Sequence, residues 1–298
     1  MPNWPKTQGA FRFHTPAKIT LVVRVLDRRK DGYHGVRLAL APVALYDAII
    51  WQPGGNGLRL EVVSSEFLGP SPDNLVYRAA LAFASASGLP LHGQLHLTKH
   101  VPSGAGLGGG SANAAGTLVV LNRLHGAPLS AQRLLELARG LGSDVPFFLQ
   151  PQAQWAEGRG ERLTPIAGFP RLHVLVVKPP FGIGTGYAYG KTMPRPEASP
   201  FPPLANFDQV RAALVNDFEP ALFPHHPELP QIKRRLLGAG ADAALLSGSG
   251  SALFGLFRDP AARDRAAQAL AQEPAWTVLP CDTLERYDYP QTASETDP

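Results

Sequence analysis

The stretch Pro102-Ser-Gly-Ala-Gly-Leu-Gly-Gly-Gly-Ser-Ala-Asn-Ala-Ala-Gly116 constrains this chain more than any other. Glycine at this density, running straight into the small-residue helical pattern Ser111 to Leu124, leaves backbone N–H groups bare and aimed at one point, which makes a cradle for an anion. Bulky side chains would hold a phosphate off the backbone, and such a loop visits positive φ, so glycine is needed on both counts. Small residues at Ala112, Ala114, Ala115 and Gly116 let the first helical turns approach whatever lies beside them. The alternative is a flexible glycine linker, but linkers are seldom followed at once by a well-patterned helix.

Several kinds of phosphate loop compete for this stretch, and spacing separates them. Gly104, Gly106 and Gly109 satisfy G-x-G-x-x-G, but a dinucleotide fingerprint follows a strand directly and has an acidic residue about 20 positions on, at the tip of the next strand. Here the region downstream, Leu129 to Leu141, reads as helix. A P-loop ends in Gly-Lys-Ser/Thr, which Ser111-Ala-Asn113 does not supply, and Gly184-Thr-Gly-Tyr-Ala-Tyr-Gly-Lys-Thr192 misses the glycine spacing by one residue. The His-Arg-Asp and Asp-Phe-Gly companions of a protein kinase are absent.

With 298 residues and 44% hydrophobic content the chain can build one large or two modest domains, and two are expected, at 1–170 and 171–298. No segment approaches the roughly 18 apolar residues of a membrane span, and the N-terminus lacks a charged-then-apolar leader, so a cytoplasmic protein without a membrane partner is expected. The single cysteine, Cys281, leaves no internal disulfide or cysteine metal cage, and the nine histidines show no His-Glu-x-x-His spacing. A formal charge of +4 suits polyanionic ligands; the basic residues are scattered rather than blocked, so no nucleic-acid partner is expected. A monomer or weak homodimer is the expected state.

Along the chain, Phe11 to Val25 reads as strand, and alternation puts Lys18 and Thr20 on one face together with Val22. Such a lysine is either a solvated edge residue or a cation aimed at a ligand. Asp31-Gly32 marks a turn presenting Tyr33 and His34, either as a mere exposed tip or as a stacking and hydrogen-bonding platform for a flat base. Leu38 to Trp51 is a strand, Gly54-Gly-Asn-Gly57 a hairpin turn, and Leu58 to Val63 the return strand. Asp73 or Asn74 caps a helix Leu75 to Ser87, and Leu91 to Lys99 delivers the chain to the glycine loop. Ser130 caps the next helix. Asp144, before Val145-Pro-Phe-Phe-Leu149, is either an N-cap or a carboxylate held in a fixed direction. Glu157 to Thr164 reads as a hairpin edge, and Leu172 to Val177 as a buried strand. Beyond a junction at Thr164 to Pro180 and an exposed excursion at Met193 to Pro203, helices are expected at Phe207 to Phe218, Glu228 to Leu237 and Ala261 to Ala271. Strands are expected at Ala243 to Leu246, Ala252 to Phe257 and Trp276 to Leu279, which together give an α+β, ferredoxin-like layer, with disorder after Tyr289.

The ordered set Pro16-Ala-Lys-Ile19, Asp31-Gly-Tyr-His34, Pro102-x-Gly-x-Gly-Leu-Gly-Gly-Gly-Ser-Ala112 and Ser247-Gly-Ser-Gly-Ser251 resembles the GHMP small-molecule kinases, over about Thr15 to Phe257. Asn74-Leu-Val, Gly142-Ser-Asp-Val-Pro-Phe-Phe148, Gly158-Arg-Gly-Glu161 and Asn216-Asp-Phe-Glu219 sit where similar strings occur. Asp-Gly-Tyr-His is the string that resembles the branch acting on a cytidyl-diphosphate sugar alcohol, rather than the mevalonate or homoserine branches. The resemblance implies an α+β GHMP kinase fold, an N-terminal ribosomal-protein-S5-like α/β domain followed by a ferredoxin-like domain, and ATP as cofactor with Mg²⁺ carried by it. It further implies Asp144 as general base with Lys18 as its cationic neighbour. Gly104, Ala105, Gly106, Leu107, Gly108, Gly109, Gly110 and Ser111 would wrap the ATP phosphates, and Asn74 and Lys99 would border the adenine side. Tyr33 and His34 would hold the cytosine ring, and Gly248, Ser249 and Gly250 would close the substrate end, touched by Thr185. Thr20 departs from the family, which usually has asparagine there, and puts one acceptor contact in doubt. A non-catalytic binding protein on the same scaffold would need neither Lys18 nor Asp144.

Overall fold

The computed structural model describes residues 9–29, 32, 34–64, 71–195 and 200–290. Two long antiparallel strands, β1 (Phe11–Arg28) and β2 (His34–Pro53), form its spine. They are followed by β3 (Leu58–Val63), α1 (Leu75–Ser87), β4 (Gly93–Thr98), α2 (Gly109–Leu124), α3 (Ala131–Leu141) and the hairpin β5 (Gln154–Gly158) and β6 (Arg162–Pro165). The second half carries β7 (His173–Lys178), α4 (Thr185–Lys191), α5 (Phe207–Ala213), β8 (Val215–Asn216), α6 (Glu219–Leu222) and α7 (Glu228–Gly238). It ends with β9 (Ala243–Leu246), β10 (Leu253–Phe257), α8 (Pro260–Leu270) and β11 (Thr277–Asp282).

The first sheet runs β3-β4-β2-β1-β8, with β5 paired to the opening half of β2 and β6 to β5. α1, α2 and α3 pack on it around Phe11, Phe13, Leu95, Leu97, Phe83 and Leu118. The second sheet runs β11-β7-β10-β9, antiparallel throughout, with α7 and α8 against it. Its chain order, β7-α7-β9-β10-α8-β11, is that of a ferredoxin-like β-α-β-β-α-β layer. β1 is buried along most of its length because it feeds three cores: Phe11 and Phe13 the first, Ala17, Ile19 and Leu21 the layer between the sheets, Val23 and Val25 the third.

Three expectations change, and one helix is added. The Gly54–Gly57 turn does not close a β2–β3 hairpin, because β4 takes the slot between them, antiparallel to β2 and parallel to β3. The turn encloses His92 instead: Gly54 N donates to His92 O at 2.9 Å and Gly57 N to His92 Nδ1 at 3.0 Å. Gly93 then lies so close under the Trp51 indole that a Cβ would overlap it. The helix expected over Phe207 to Phe218 stops at Ala213, since Val215 and Asn216 pair with Val22 and Val23 of β1. A register shift between Thr20 and Val22 takes Val22 off the face of Lys18 and Thr20, into the core of Ile19 and Leu21, and Val23 replaces it. The proline-rich connection after β7 contains a helix, α4.

The end of the chain returns to the first layer. Thr283 bridges Val43, Arg286 bridges Gln152, and Tyr287 Oη donates to His14 O at 2.8 Å. Tyr289 is fully buried beside Gly116 and donates to Phe148 O at 2.7 Å. The loss of order expected after Tyr289 falls on residues that, from 291 on, lie outside the described ones. Replacing Tyr289 by alanine removes a packed ring and a buried hydrogen bond, so urea unfolding of Tyr289→Ala is expected to show a loss of about 3–5 kcal/mol. An unchanged midpoint would mean that the returning segment adds nothing to the first layer.

Candidate active site

Three alternate glycines set the shape of the loop. Gly104, Gly106 and Gly108 have φ of 62°, 77° and 72°, in the region L side chains rarely adopt. Gly108 precedes α2 and leaves its N-terminus without a side-chain cap; a Cβ there would meet the Phe148 ring at 2.8 Å. Four successive carbonyls are taken from outside: Gly104 O by Ile183 N (3.3 Å), Ala105 O by Ala252 N (3.1 Å), Gly106 O by Ser247 Oγ (3.1 Å) and Leu107 O by Lys18 N (2.9 Å). A trans peptide points its N–H opposite to its C=O. The N–H groups from Leu107 on are therefore the ones turned toward a ligand, at the positive end of α2, while that of Gly106 lies against Gly250.

Both ends of the loop hang on one buried carboxylate, Asp47 of β2, which is 0% exposed. It accepts from His100 N (2.7 Å) and Val101 N (2.8 Å) where β4 runs into the loop, and from Asn113 Nδ2 (2.9 Å) on α2 where the loop leaves. Lys99 Nζ pairs with the same carboxylate and donates to Asn113 Oδ1 at 3.2 Å, and Asn113 also donates to Thr15 Oγ1 at 2.7 Å. Nothing in the sequence marked Asp47, which stands among alternating strand residues.

The opposite wall is formed by the turn 247–251. The two backbones meet so closely that a Cβ at Gly106 would overlap Ser247 O and one at Gly250 would overlap Gly106 N and the Ala105 carbonyl carbon. Asn216 fixes this turn by donating to Leu246 O and Gly248 O, both at 2.8 Å. Ser249 Oγ reaches Thr185 Oγ1 at 3.2 Å.

Lys18, 4% exposed, projects between the two glycine turns. Its ammonium donates to Thr20 Oγ1 at 2.8 Å and lies 3.9 Å from the Asp144 carboxylate. Burial pulls the Lys18 pKa below the ordinary lysine value, and the Asp144 charge opposes that pull. Asp144 does not cap the short helix at Pro146–Leu149: the cap position there is Val145 and carries no side-chain bond. The carboxylate, 36% exposed, lies instead toward Lys18 and lines the hollows described next.

Two hollows meet at this pair. The loop hollow, about 410 Å³, is lined by 102–111, Asn74, Lys99, Asn113 and Asp73; a larger cleft of about 660 Å³ is lined by Thr20, Val23, His34, Tyr189, Phe218 and Gly248. Lys18, Asp144, Thr185 and Ser249 line both. Tyr33 lies outside the described residues, while His34 stacks on Tyr189 at 5.4 Å and 15°. Tyr189 belongs to the string set aside above as a failed P-loop; as helix α4 it stands one turn from Thr185, and that i,i+4 spacing was the available signal. Burial, then the Asp144 charge, push its pKa up to about 12, so its hydroxyl stays neutral. Asn74 caps α1 by accepting from Val76 N at 2.9 Å, and Lys99 has its ammonium turned to Asp47 under the loop. Thr20, the departure noted above, is 1% exposed and holds Lys18.

The sequence matches the family profile "GHMP kinases N terminal domain" over residues 74–151 and "GHMP kinases C terminal" over 203–275. A curated relative from Syntrophus aciditrophicus, a 4-diphosphocytidyl-2-C-methyl-D-erythritol kinase, is 37% identical over 89% of this chain and 96% of its own. One of the same name from Pelotomaculum thermopropionicum is 40% identical over 82% and 88%. Among solved structures, a 4-(cytidine 5'-diphospho)-2C-methyl-D-erythritol kinase superposes with a TM-score of 0.79 at 35% identity, covering 91% of this chain and 98% of that one. A homoserine kinase from Cytophaga hutchinsonii, at 16% identity and a TM-score of 0.72 over 98% and 99%, shares the fold.

Two outcomes follow from the geometry. Gly250→Ala drives a methyl group into loop backbone that has no room to yield, and is expected to weaken ATP binding at least tenfold in a direct titration; unchanged affinity would mean the two turns are not coupled. Thr20→Val keeps the shape but removes the acceptor for Lys18, and is expected to lower kcat about tenfold or more, with Thr20→Ser restoring it. A Thr20→Val enzyme with wild-type kcat would show that Lys18 needs no such support.

Proposed function

The chain belongs to the GHMP kinases and, among them, to the 4-diphosphocytidyl-2-C-methyl-D-erythritol kinases, and from that premise we propose how its residues carry the reaction. It uses ATP to phosphorylate the 2-hydroxyl of 4-diphosphocytidyl-2-C-methyl-D-erythritol, a step toward isoprenoid precursors by the non-mevalonate route. Mevalonate and homoserine kinases share the architecture at 17% and 16% identity, which speaks for the fold alone. The observation that carries the division of labour is the Lys18–Asp144 pair standing where the loop hollow opens into the larger cleft.

In this reading the ATP phosphates lie along residues 104–111, held by the free N–H groups and the α2 dipole. Asn74 and Lys99 border the nucleotide: Asn74 at the start of α1, Lys99 by fixing the loop from beneath. The acceptor fills the cleft, its cytosine at His34, Tyr189 and Tyr33 and its sugar-alcohol end at Thr20, Thr185 and the 248–250 turn. Phosphoryl transfer asks for alignment and charge stabilisation more than for covalent help. Asp144 accepts a hydrogen bond from the attacking hydroxyl and then its proton, and Lys18, 3.9 Å from that carboxylate, orients it and offsets charge on the moving group.

Among the described residues no three acidic, histidine or cysteine side chains converge on one point. Ser111 and Asp144, two of the oxygen-bearing residues that line the loop hollow, would suit an ion that arrives with ATP and keeps several of its waters. Mg²⁺ held in that way would supply charge neutralisation on the phosphates. The acting unit is taken to be a monomer or weak homodimer in the cytoplasm, where ATP is supplied.

The test is a two-substrate assay of ADP release. The cytidyl-diphosphate acceptor is expected to support turnover while mevalonate and homoserine do not, and turnover with either control alone would sink the assignment. Asp144→Asn is expected to lower kcat by roughly 10²–10⁴-fold with ATP affinity intact. Near-normal kcat would remove the carboxylate from the role of base.

A further inference from the structure

The string Gly158-Arg-Gly-Glu161 has no task in the scheme above, yet its local geometry is tightly specified. It is the turn between β5 and β6, and both glycines lie at positive φ, 76° and 110°. Glu161 Oε2 accepts from Arg159 N at 2.5 Å, and a Cβ at Gly158 would strike that carboxylate at 2.7 Å. Burial alone would raise the Glu161 pKa; the backbone N–H groups of Glu161 and Arg159, with the Arg159 and Arg29 charges, outweigh it and hold the carboxyl below its ordinary value. A turn pinned this way presents residue 159 in one place. That place abuts the segment carrying Asp144, since a Cβ on Gly160 would lie 4.0 Å from Ser143 O.

Arg159 lines the acceptor cleft, as does Arg28 at the end of β1. Among the described residues, four Lys, Arg, Asp and Glu side chains line it, Lys18, Arg28, Asp144 and Arg159, and three of these are cations. The acceptor is covalently a base and ribose, then a diphosphate, then a sugar alcohol. With the base at His34 and Tyr189 and the alcohol at Lys18 and Asp144, the diphosphate must lie between them. Guanidinium groups match phosphate oxygens in bidentate fashion. We propose that Arg159, assisted by Arg28, binds the acceptor's diphosphate and so makes the cleft select a nucleoside-diphosphate-linked alcohol over a small free one. This rests on the acceptor assignment made above.

The experiment compares cytidine with CDP as inhibitors competing against the acceptor, in the wild-type chain and in Arg159→Gln, whose exposed position should leave the melting temperature unchanged. In the wild type CDP is expected to bind at least tenfold more tightly than cytidine, with an advantage that shrinks as salt rises. In Arg159→Gln that advantage is expected to fall to about threefold or less, with cytidine itself binding as before, and the KM of the acceptor to rise tenfold or more while that of ATP holds. Arg159→Lys, which keeps the charge but not the fork, should fall between. An undiminished CDP advantage in a folded Arg159→Gln enzyme would overturn the proposal while leaving the acceptor assignment standing. A wild-type chain that bound neither cytidine nor CDP would overturn that assignment itself.

Discussion

A carboxylate with no contact to water holds the phosphate loop in place. Asp47 gathers two backbone amides from the segment just past β4 that leads into the loop and a side-chain amide from the helix that leads out, and Lys99 pairs with it. A loop whose N–H groups are kept for a ligand cannot use them for its own stability, so its geometry must be imposed at its ends and along its carbonyls. Removing one partner from a buried ion pair of this kind costs about 3–5 kcal/mol. Lys99 thus acts on the nucleotide hollow from below, through the loop it anchors.

The other determinant is a single extra residue in β1. The register shift between Thr20 and Val22 ends the alternation that began at Lys18, turns Val22 into the inter-sheet core and brings Val23 to the cleft. A short polar patch, Lys18 with Thr20, thereby survives within a strand that is otherwise apolar and buried. Val22 and Val23 are also where β8 pairs, and Asn216 of β8 holds the carbonyls of the 247–251 turn. One irregularity in the first sheet in this way sets the place of the opposing wall.

Much of this was legible in the residues themselves. The glycine loop, the helix after it, the caps at Asn74 and Ser130 and the ferredoxin-like order of the second half follow from local chemistry, and local chemistry decided them. What could not be read depends on partners distant in the chain. β3 looked like the return arm of a hairpin because the turn was right; the insertion of β4 depends on His92 and Trp51. Asp47 looks like any polar residue on a strand until its four donors arrive. Asp144, ahead of Val145-Pro146, reads either as a cap or as a carboxylate held in a fixed direction, and only the distant approach of Lys18 separates the two. Tyr189 shares its string with Thr185, and only the helix α4 brings its ring to the same cleft.

The C-terminal segment has a consequence for how the molecule comes into being. Phe148, next to the segment that bears Asp144, receives its carbonyl's partner from Tyr289, 141 residues later, and β1 receives its outer neighbour from residues 215–216. During synthesis the first layer therefore emerges from the ribosome unfinished, with a vacant edge on β1 and an unfilled slot beside Gly116. Contacts this far apart in sequence slow folding and prolong the exposure of apolar surface. The first layer is thus completed only once Tyr289 has been made, and a nascent chain that already carries the whole phosphate loop still lacks the ring that fills the slot beneath it.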